Sequence, residues 1–329
     1  MRNIRSELFK TFGMLFALSM VVALTAAIAS AQTYPTKPVR FIIPYTPGGS
    51  TDILGRLIAT KLSERFGKQF VVDNRGGAGS IIGTEIASKA TPDGYTVVFT
   101  GSSFTTEPVL QKLPYDPIKS FTPIGKVASG PFVLVVPPSV PANSVKEFIA
   151  LAKQKPGQLV FGTSGMGGSP HMSTELFKIV AGIDFKIVHF KGGGPATIDL
   201  VGGHIHAMIG SLTQAMPHIQ SGKLRLLGTG GLKRFVTLPD VPTIAEGGLP
   251  GYEATTWKGM VAPAGTPAWI IDRLTNELKG ILTSEDVKKA FLDDGSEADY
   301  LGPAEHGKFI ERELANWARV VKEANIKLK

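Results

Sequence analysis

From Val39 onward the chain alternates short apolar runs with Gly-, Ser-, Thr- and Pro-rich loops and with segments whose apolar residues recur at helical spacing. Short uninterrupted apolar runs predict buried strands, and apolar positions three and four apart predict helices with one face toward a core. On that basis strands are predicted at 39–43, 70–72 and 95–99, with helices at 53–66 and 81–87 between them. Ile53, Leu54, Leu57, Ile58, Leu62 and Phe66 mark one face of the first helix. A series of strands alternating with helices implies a parallel sheet with helices on its faces.

A second series follows, with strands at 132–136, 159–161, 185–189, 207–209 and 224–227 and helices at 145–152, 172–180 and 196–201. One more strand is predicted at 257–261, then helices at 269–282, 285–292 and 304–324. Two similar winding units imply two similar lobes. Pro137-Pro138 with Pro141, and the stretch from Pro239 to Tyr252, are the expected crossings, because Pro and Gly clusters favour extended connections. If the C-terminal segment returns to the first lobe, two strands join the lobes and leave them free to hinge. The expected fold class is α/β, with two doubly wound lobes, two crossover strands and a cleft. The expected division is lobe I over 32–133, lobe II over 134–252 and a return to lobe I over 253–329.

The start of the chain breaks the alternation. Arg2, Arg5 and Lys10 precede an almost unbroken apolar run over 12–28, and Ala29-Ser30-Ala31 supplies the small residues that signal peptidase accepts. This predicts a secretory signal peptide over 1–31, cleaved before Gln32, and a periplasmic product. The alternative, a retained membrane anchor, fits less well because the run is short and lacks a basic stop-transfer cluster. Cleavage would leave 298 of the 329 residues and remove three Lys/Arg and one Glu, so the net charge falls from +8 to +6. The remaining charge is dispersed, without a Lys/Arg block, and no nucleic-acid partner is expected. A chain of this length buries a core of its own and usually divides into two domains beyond about 250 residues. With no Cys there is no thiolate nucleophile, no thiolate zinc site and no Cys-held iron–sulfur cluster.

Candidate chemistry sits in the loops after the strands. The loop from Pro44 to Asp52 follows the first strand and opens the first helix, where free N–H groups and the positive end of a helix favour an anion. Asp52 reads as a residue complementing the helix start. Gly77, Gly79 and Gly83 superficially form a dinucleotide fingerprint, but they follow the second strand and no acidic residue closes the third, so tight turn packing is the better reading. Ser102-Ser103 and the Gly162–Ser169 loop occupy equivalent strand ends in the two units, as expected of a polar cleft. Ser164, Ser169 and His171 lie together, which raises a secreted serine hydrolase as a rival, although neither serine sits in a GxSxG elbow. His204 and His206 lack a nearby acid at ligand spacing, and no metal is expected. Lys191 either pairs with a ligand carboxylate or lies along the surface.

Five stretches carry a family resemblance: residues 44–52 (PYTPGGSTD), 72–79 (VDNRGGAG), 92–96 (PDGYT), 190–196 (FKGGGPA) and 238–243 (LPDVPT). With them the chain closely resembles the Bug-type extracytoplasmic substrate-binding receptors of tripartite tricarboxylate transporters, in order from about Tyr34 to the C-terminus. The resemblance implies a Venus-flytrap, type II-like periplasmic binding fold that captures a small organic acid and delivers it to an integral-membrane permease. It implies no catalysis and no cofactor, and a monomer is expected. Carried onto this chain, it implies ligand contacts from Tyr45, Thr46, Gly48, Gly49, Ser102, Ser103, Thr163, Ser164 and Gly165, through neutral donors in a closed, dry cleft. Gly210-Ser211 stands where many relatives carry an acid, which favours a plain carboxylate over an amino acid. A carboxylate-sensing adaptor for a signalling partner would share this site.

Overall fold

The computed structural model describes residues 33–326; the expected signal peptide over 1–31 lies outside the described residues. The chain runs β1 (Val39–Ile43), α1 (Ser50–Phe66), β2 (Phe70–Asn74), a 3-10 turn at Ala78–Ser80, α2 (Ile81–Ser88), β3 (Thr96–Gly101), α3 (Ser103–Leu110) and β4 (Phe121–Val136). It continues through α4 (Val145–Gln154), β5 (Val160–Thr163), α5 (Ser169–Ala181), β6 (Lys186–His189), α6 (Gly193–Val201), β7 (Ala207–Ser211), α7 (Leu212–Gln220) and β8 (Arg225–Thr229). The last elements are β9 (Thr255–Pro263), α8 (Ala268–Leu282), α9 (Glu285–Asp293), β10 (Glu297–Leu301) and α10 (Pro303–Glu323).

The strands form a mixed sheet in the order β2-β1-β3-β9-β4-β7-β5-β6, with β8 and β10 also paired to β4. In each half three parallel strands meet an antiparallel one: β2, β1 and β3 meet β9, and β6, β5 and β7 meet β4. The sixteen-residue β4 belongs to both halves. From Phe121 to Pro131 it pairs with β9, and from Phe132 to Val136 with β7 and β8. The strand therefore changes partners between Pro131 and Phe132, earlier than the Pro137-Pro138 crossing expected from sequence. That pair instead opens a turn, closed by Val140 N–H on the Pro137 carbonyl at 3.0 Å. The return path lies beside it: Gly230 N–H bonds the Phe132 carbonyl at 2.7 Å, and Ala254 N–H bonds the Gly230 carbonyl at 2.8 Å.

The apolar runs become central strands because both faces are covered. Phe41 and Ile43 enter one core with Leu54, Phe99 and Leu274, while Ile42 between them enters another with Val98, Phe104 and Trp257. In the second lobe Leu134 and Val136 pack with Phe148, Phe161 and Phe177, and Val133 and Val135 pack on the opposite face with Leu200 and Leu212. This is the period-two alternation of a strand filled from both sides. The outcome is two α/β lobes whose strand-to-helix loops face one another. Among the described residues no helix is long and apolar enough to cross a membrane.

Candidate functional site

A cavity of about 580 Å³ lies where the carboxyl ends of the parallel strands in the two lobes meet. Loops at that end of an open parallel sheet are where ligands bind. Six helices begin at this cavity, three from each lobe. In the first lobe α1 contributes Thr51 of its opening turn, and α2 and α3 contribute their N-cap residues Ser80 and Ser102. In the second, α5, α6 and α7 contribute their N-cap residues Gly168, Gly192 and Ser211. No side chain caps any of the six. Each start therefore leaves backbone N–H groups unsatisfied within the helix and presents the positive end of its dipole. Uncapped starts also occur at α8, α9 and α10; the convergence from two lobes is what distinguishes the cavity.

The β1–α1 loop is fixed from below by Asp52, which is buried in the first turn of α1. Its carboxylate accepts from Gly48 N–H at 2.9 Å, Arg56 Nε at 3.0 Å and Asn74 Nδ2 at 2.8 Å. Burial alone would raise this carboxyl, but the hydrogen bonds from Arg56, Gly48 and Asn74 outweigh it and hold the group below its ordinary value. Asn74 Nδ2 also reaches the Tyr45 carbonyl at 3.1 Å, so the end of β2 orients the loop. Gly83 lets α2 press against this loop, since a Cβ there would fall 2.8 Å from Pro44 Cα. Within the glycine string after β2, Gly83 is a packing position, whereas Gly77 and Gly79 line the cavity.

Tyr45 OH is bonded to Ser103 Oγ and accepts Gly101 N–H at 3.2 Å, and Ser103 Oγ donates to Ser80 Oγ at 3.1 Å. Burial pushes the Tyr45 phenol above its ordinary value, so it stays a neutral hydroxyl at physiological pH. Ser102 Oγ accepts Trp257 N–H at 3.0 Å and ties this corner to β9. Across the cleft, Thr163 is buried with its hydroxyl 2.9 Å from His189 Nδ1, and His171 Nδ1 accepts Gly167 N–H at 3.0 Å. Burial, with His171 beside it, lowers the His189 pKa. Both imidazoles hold loops, and among the described residues neither Ser164 nor Ser169 has its hydroxyl bonded to a histidine. The cavity lining contains no Lys, Arg or His among the described residues; its one carboxylic acid is Glu107. A site so built attracts an anion through dipoles and neutral donors.

Residues 54–326 match the family model described as the tripartite tricarboxylate transporter family receptor, TctC. The chain belongs to this receptor family. The receptor is 37% identical over 321 residues to protein BugT of Bordetella pertussis, spanning 96% of this chain and 98% of that one. Among solved structures it is similar to Rpa4515 of R. palustris with adipate, at 37% identity and TM-score 0.80, covering 89% of this chain and 99% of that one. It is also similar to MatC of Rhodopseudomonas palustris with bound malate, at 29% identity and TM-score 0.75, covering 88% and 100%.

Of the residues singled out by sequence, Tyr45, Thr46, Ser102, Ser103 and Ser164 line the receptor's cavity. Gly48 and Gly49 are exposed in the loop that Asp52 fixes, Thr163 is buried beneath the opposite loop, and Gly165 is half-buried beside Ser164. Lys191 is exposed and does not line the cavity, whereas its neighbours Gly192 and Gly193 do. Sequence reasoning missed Glu107, Phe132, Gln214 and Thr256, all of them on the wall. Glu107 and Gln214 lie on α3 and α7, short helices interrupted by Pro108 and Pro217 and therefore without a helical signature.

Proposed function

We propose that this receptor captures a small organic carboxylate in the cleft between its lobes, closes around it and delivers it to the integral-membrane permease of a tripartite tricarboxylate transporter. The observation that carries this reading is the meeting of six helix starts, three from each lobe, on a cavity whose lining holds no cation among the described residues. A carboxylate there is held by N–H groups and hydroxyls, whose strength rises as closure expels water. Adipate and malate in the two related structures support the same ligand class.

Tyr45, Thr46, Ser102, Ser103 and Ser164 make the contacts in this proposal, while Gly48, Gly49, Thr163 and Gly165 shape the loops that carry them. Lys191 stays at the rim. The working division is a signal peptide over 1–31 removed before Gln32, lobe I over 32–133 and 253–329, and lobe II over 134–252; the change of partners along β4 supports it. The receptor acts as a periplasmic monomer without catalysis or cofactor. Calorimetric titration of refolded, ligand-stripped protein with mono- and dicarboxylates tests this reading; saturable binding is expected, and no heat from any carboxylate would sink it. Labelling by a serine-directed fluorophosphonate that disappears in Ser164→Ala or Ser169→Ala would instead establish a hydrolase.

A further inference from the structure

We propose that Glu107 sets the ligand class by accepting a hydrogen bond from a hydroxyl or ammonium group on the bound carboxylate, so that donor-bearing carboxylates are preferred to unsubstituted and dicarboxylic ones. This rests on the reading that the cleft holds a carboxylate.

Glu107 lines the cavity yet is only 7% exposed. Its Oε2 accepts Gln111 Nε2 at 2.9 Å, and Oε1 receives no hydrogen bond among the described residues. That oxygen is seated against Gly79, where an added Cβ would fall 1.9 Å from it. No ion pair reaches the side chain among the described residues. A largely buried carboxylate with one oxygen unfilled by the protein offers an acceptor to the cavity, and a donor arriving with the ligand fills it. Burial accordingly holds this carboxyl above its ordinary value, despite the bond from Gln111.

The position fits a small bifunctional ligand. Glu107 stands four residues after Ser103 on α3, so the two share a helical face about one 5.4 Å turn apart. Ser103 belongs to the chain of hydroxyls linking Tyr45 and Ser80 at the helix starts. A ligand whose carboxylate meets those starts places a substituent a few bonds away over Glu107. A second carboxylate at the same point faces a like charge in a site with little water to screen it. The absence of an acid at Gly210-Ser211 implied a plain carboxylate; Glu107 supplies an acceptor from the other lobe and shifts the expectation to donor-bearing ligands.

The test is calorimetric titration of the ligand-stripped receptor with butyrate, 4-hydroxybutyrate, 4-aminobutyrate and succinate, and with the five- and six-carbon sets of the same four groups. In the wild type, the hydroxy or amino member of at least one set is expected to bind ten-fold or more tightly than its unsubstituted analogue. Glu107→Gln should lower that ratio at least ten-fold for the amino ligand, and Glu107→Leu for the hydroxy ligand. Each ratio is taken against the unsubstituted analogue in the same variant, and a far-UV circular dichroism spectrum matching wild type reports an intact fold. Ratios unchanged in both variants, or wild-type binding of unsubstituted or dicarboxylic ligands as tight as the donor-bearing ones, would overturn the proposal while leaving a carboxylate receptor in place. Failure of every carboxylate to bind wild type would remove both.

Discussion

Asp52, in the first turn of α1, accepts the backbone N–H of Gly48 at 2.9 Å and so closes the β1–α1 loop on itself. The same carboxylate also satisfies Arg56 and Asn74. Replacing it by Ala strands these donors and should cost about 2–4 kcal/mol of stability. A urea midpoint should record the loss, and ligand affinity should fall at least ten-fold as residues 44–49 loosen. Because the folded carboxyl lies below its ordinary value, its stabilisation is present above about pH 4 and vanishes as pH falls through the folded value. Asp52→Asn should therefore flatten the most acidic part of the stability profile.

His306 supplies the opposite half of the acid response. It is fully buried, neither ring nitrogen has a hydrogen-bond partner among the described residues, and burial with Lys126 nearby brings its pKa down to about 3. The unfolded chain takes up a proton near pH 6.5 while the folded chain does not, so stability falls as pH drops from about 6.5 toward 3, at up to about 1.4 kcal/mol per unit. His306→Met should remove most of that slope and leave stability at pH 8 within about 1.5 kcal/mol. Thermal unfolding at pH 5 and pH 8 compares the two proteins directly.

Gly79 and Glu107 occupy each other's space. At φ +71° Gly79 is in the left-handed region, and its missing side chain is where Glu107 Oε1 rests. Gly79→Ala should destabilise the protein by roughly 2–4 kcal/mol through backbone strain and displacement of the carboxylate. Gly49, with no atom within 4 Å of an added Cβ, serves as the control, and Gly49→Ala should change stability by less than about 1 kcal/mol. Chemical denaturation of the two variants decides the comparison.

Asp294 connects the helix starts of the two lobes. Its carboxylate accepts Ser50 Oγ of α1 at 2.5 Å, and its main-chain carbonyl accepts the hydroxyl of Thr213 in α7. Thr213→Val removes that hydrogen bond, worth about 1 kcal/mol or a five-fold change in a two-state equilibrium. Spin labels across the cleft should show a longer mean separation in the unliganded variant than in wild type. An unchanged distribution would show that this contact plays no part in closure.

The lobes were legible in the sequence where burial on both faces makes a strand largely apolar. β1 spans Val39–Ile43, the predicted range, because both its faces enter cores. The first half of β4 was invisible, since Pro123, Gly125, Lys126 and Ser129 interrupt it. Those residues are held in the strand by β9 and β10, and Lys126 is buried against Asp299 at 2.5 Å. No local pattern reports a partner 173 residues away. The site follows the same rule. Loops rich in glycine and hydroxyls announced themselves, whereas Thr256 and Trp257 reach the cleft through strand pairing, with Trp257 N–H bonded to Ser102 from 155 residues away.

The last helix, counted with lobe I in the working division, packs on both lobes. α10 lays Phe309 and Ile310 into a core of the first lobe and Trp317 and Val320 into a core of the second. Its residues are thus shared between two folding units that sequence order would assign to one. Excising the second lobe as a separate fragment would remove an indole from its packing surface, and truncating the chain before Glu313 would injure the lobe farther away in sequence. Chimaeras that exchange ligand-reading lobes between relatives would have to carry this helix along with both of the surfaces it covers.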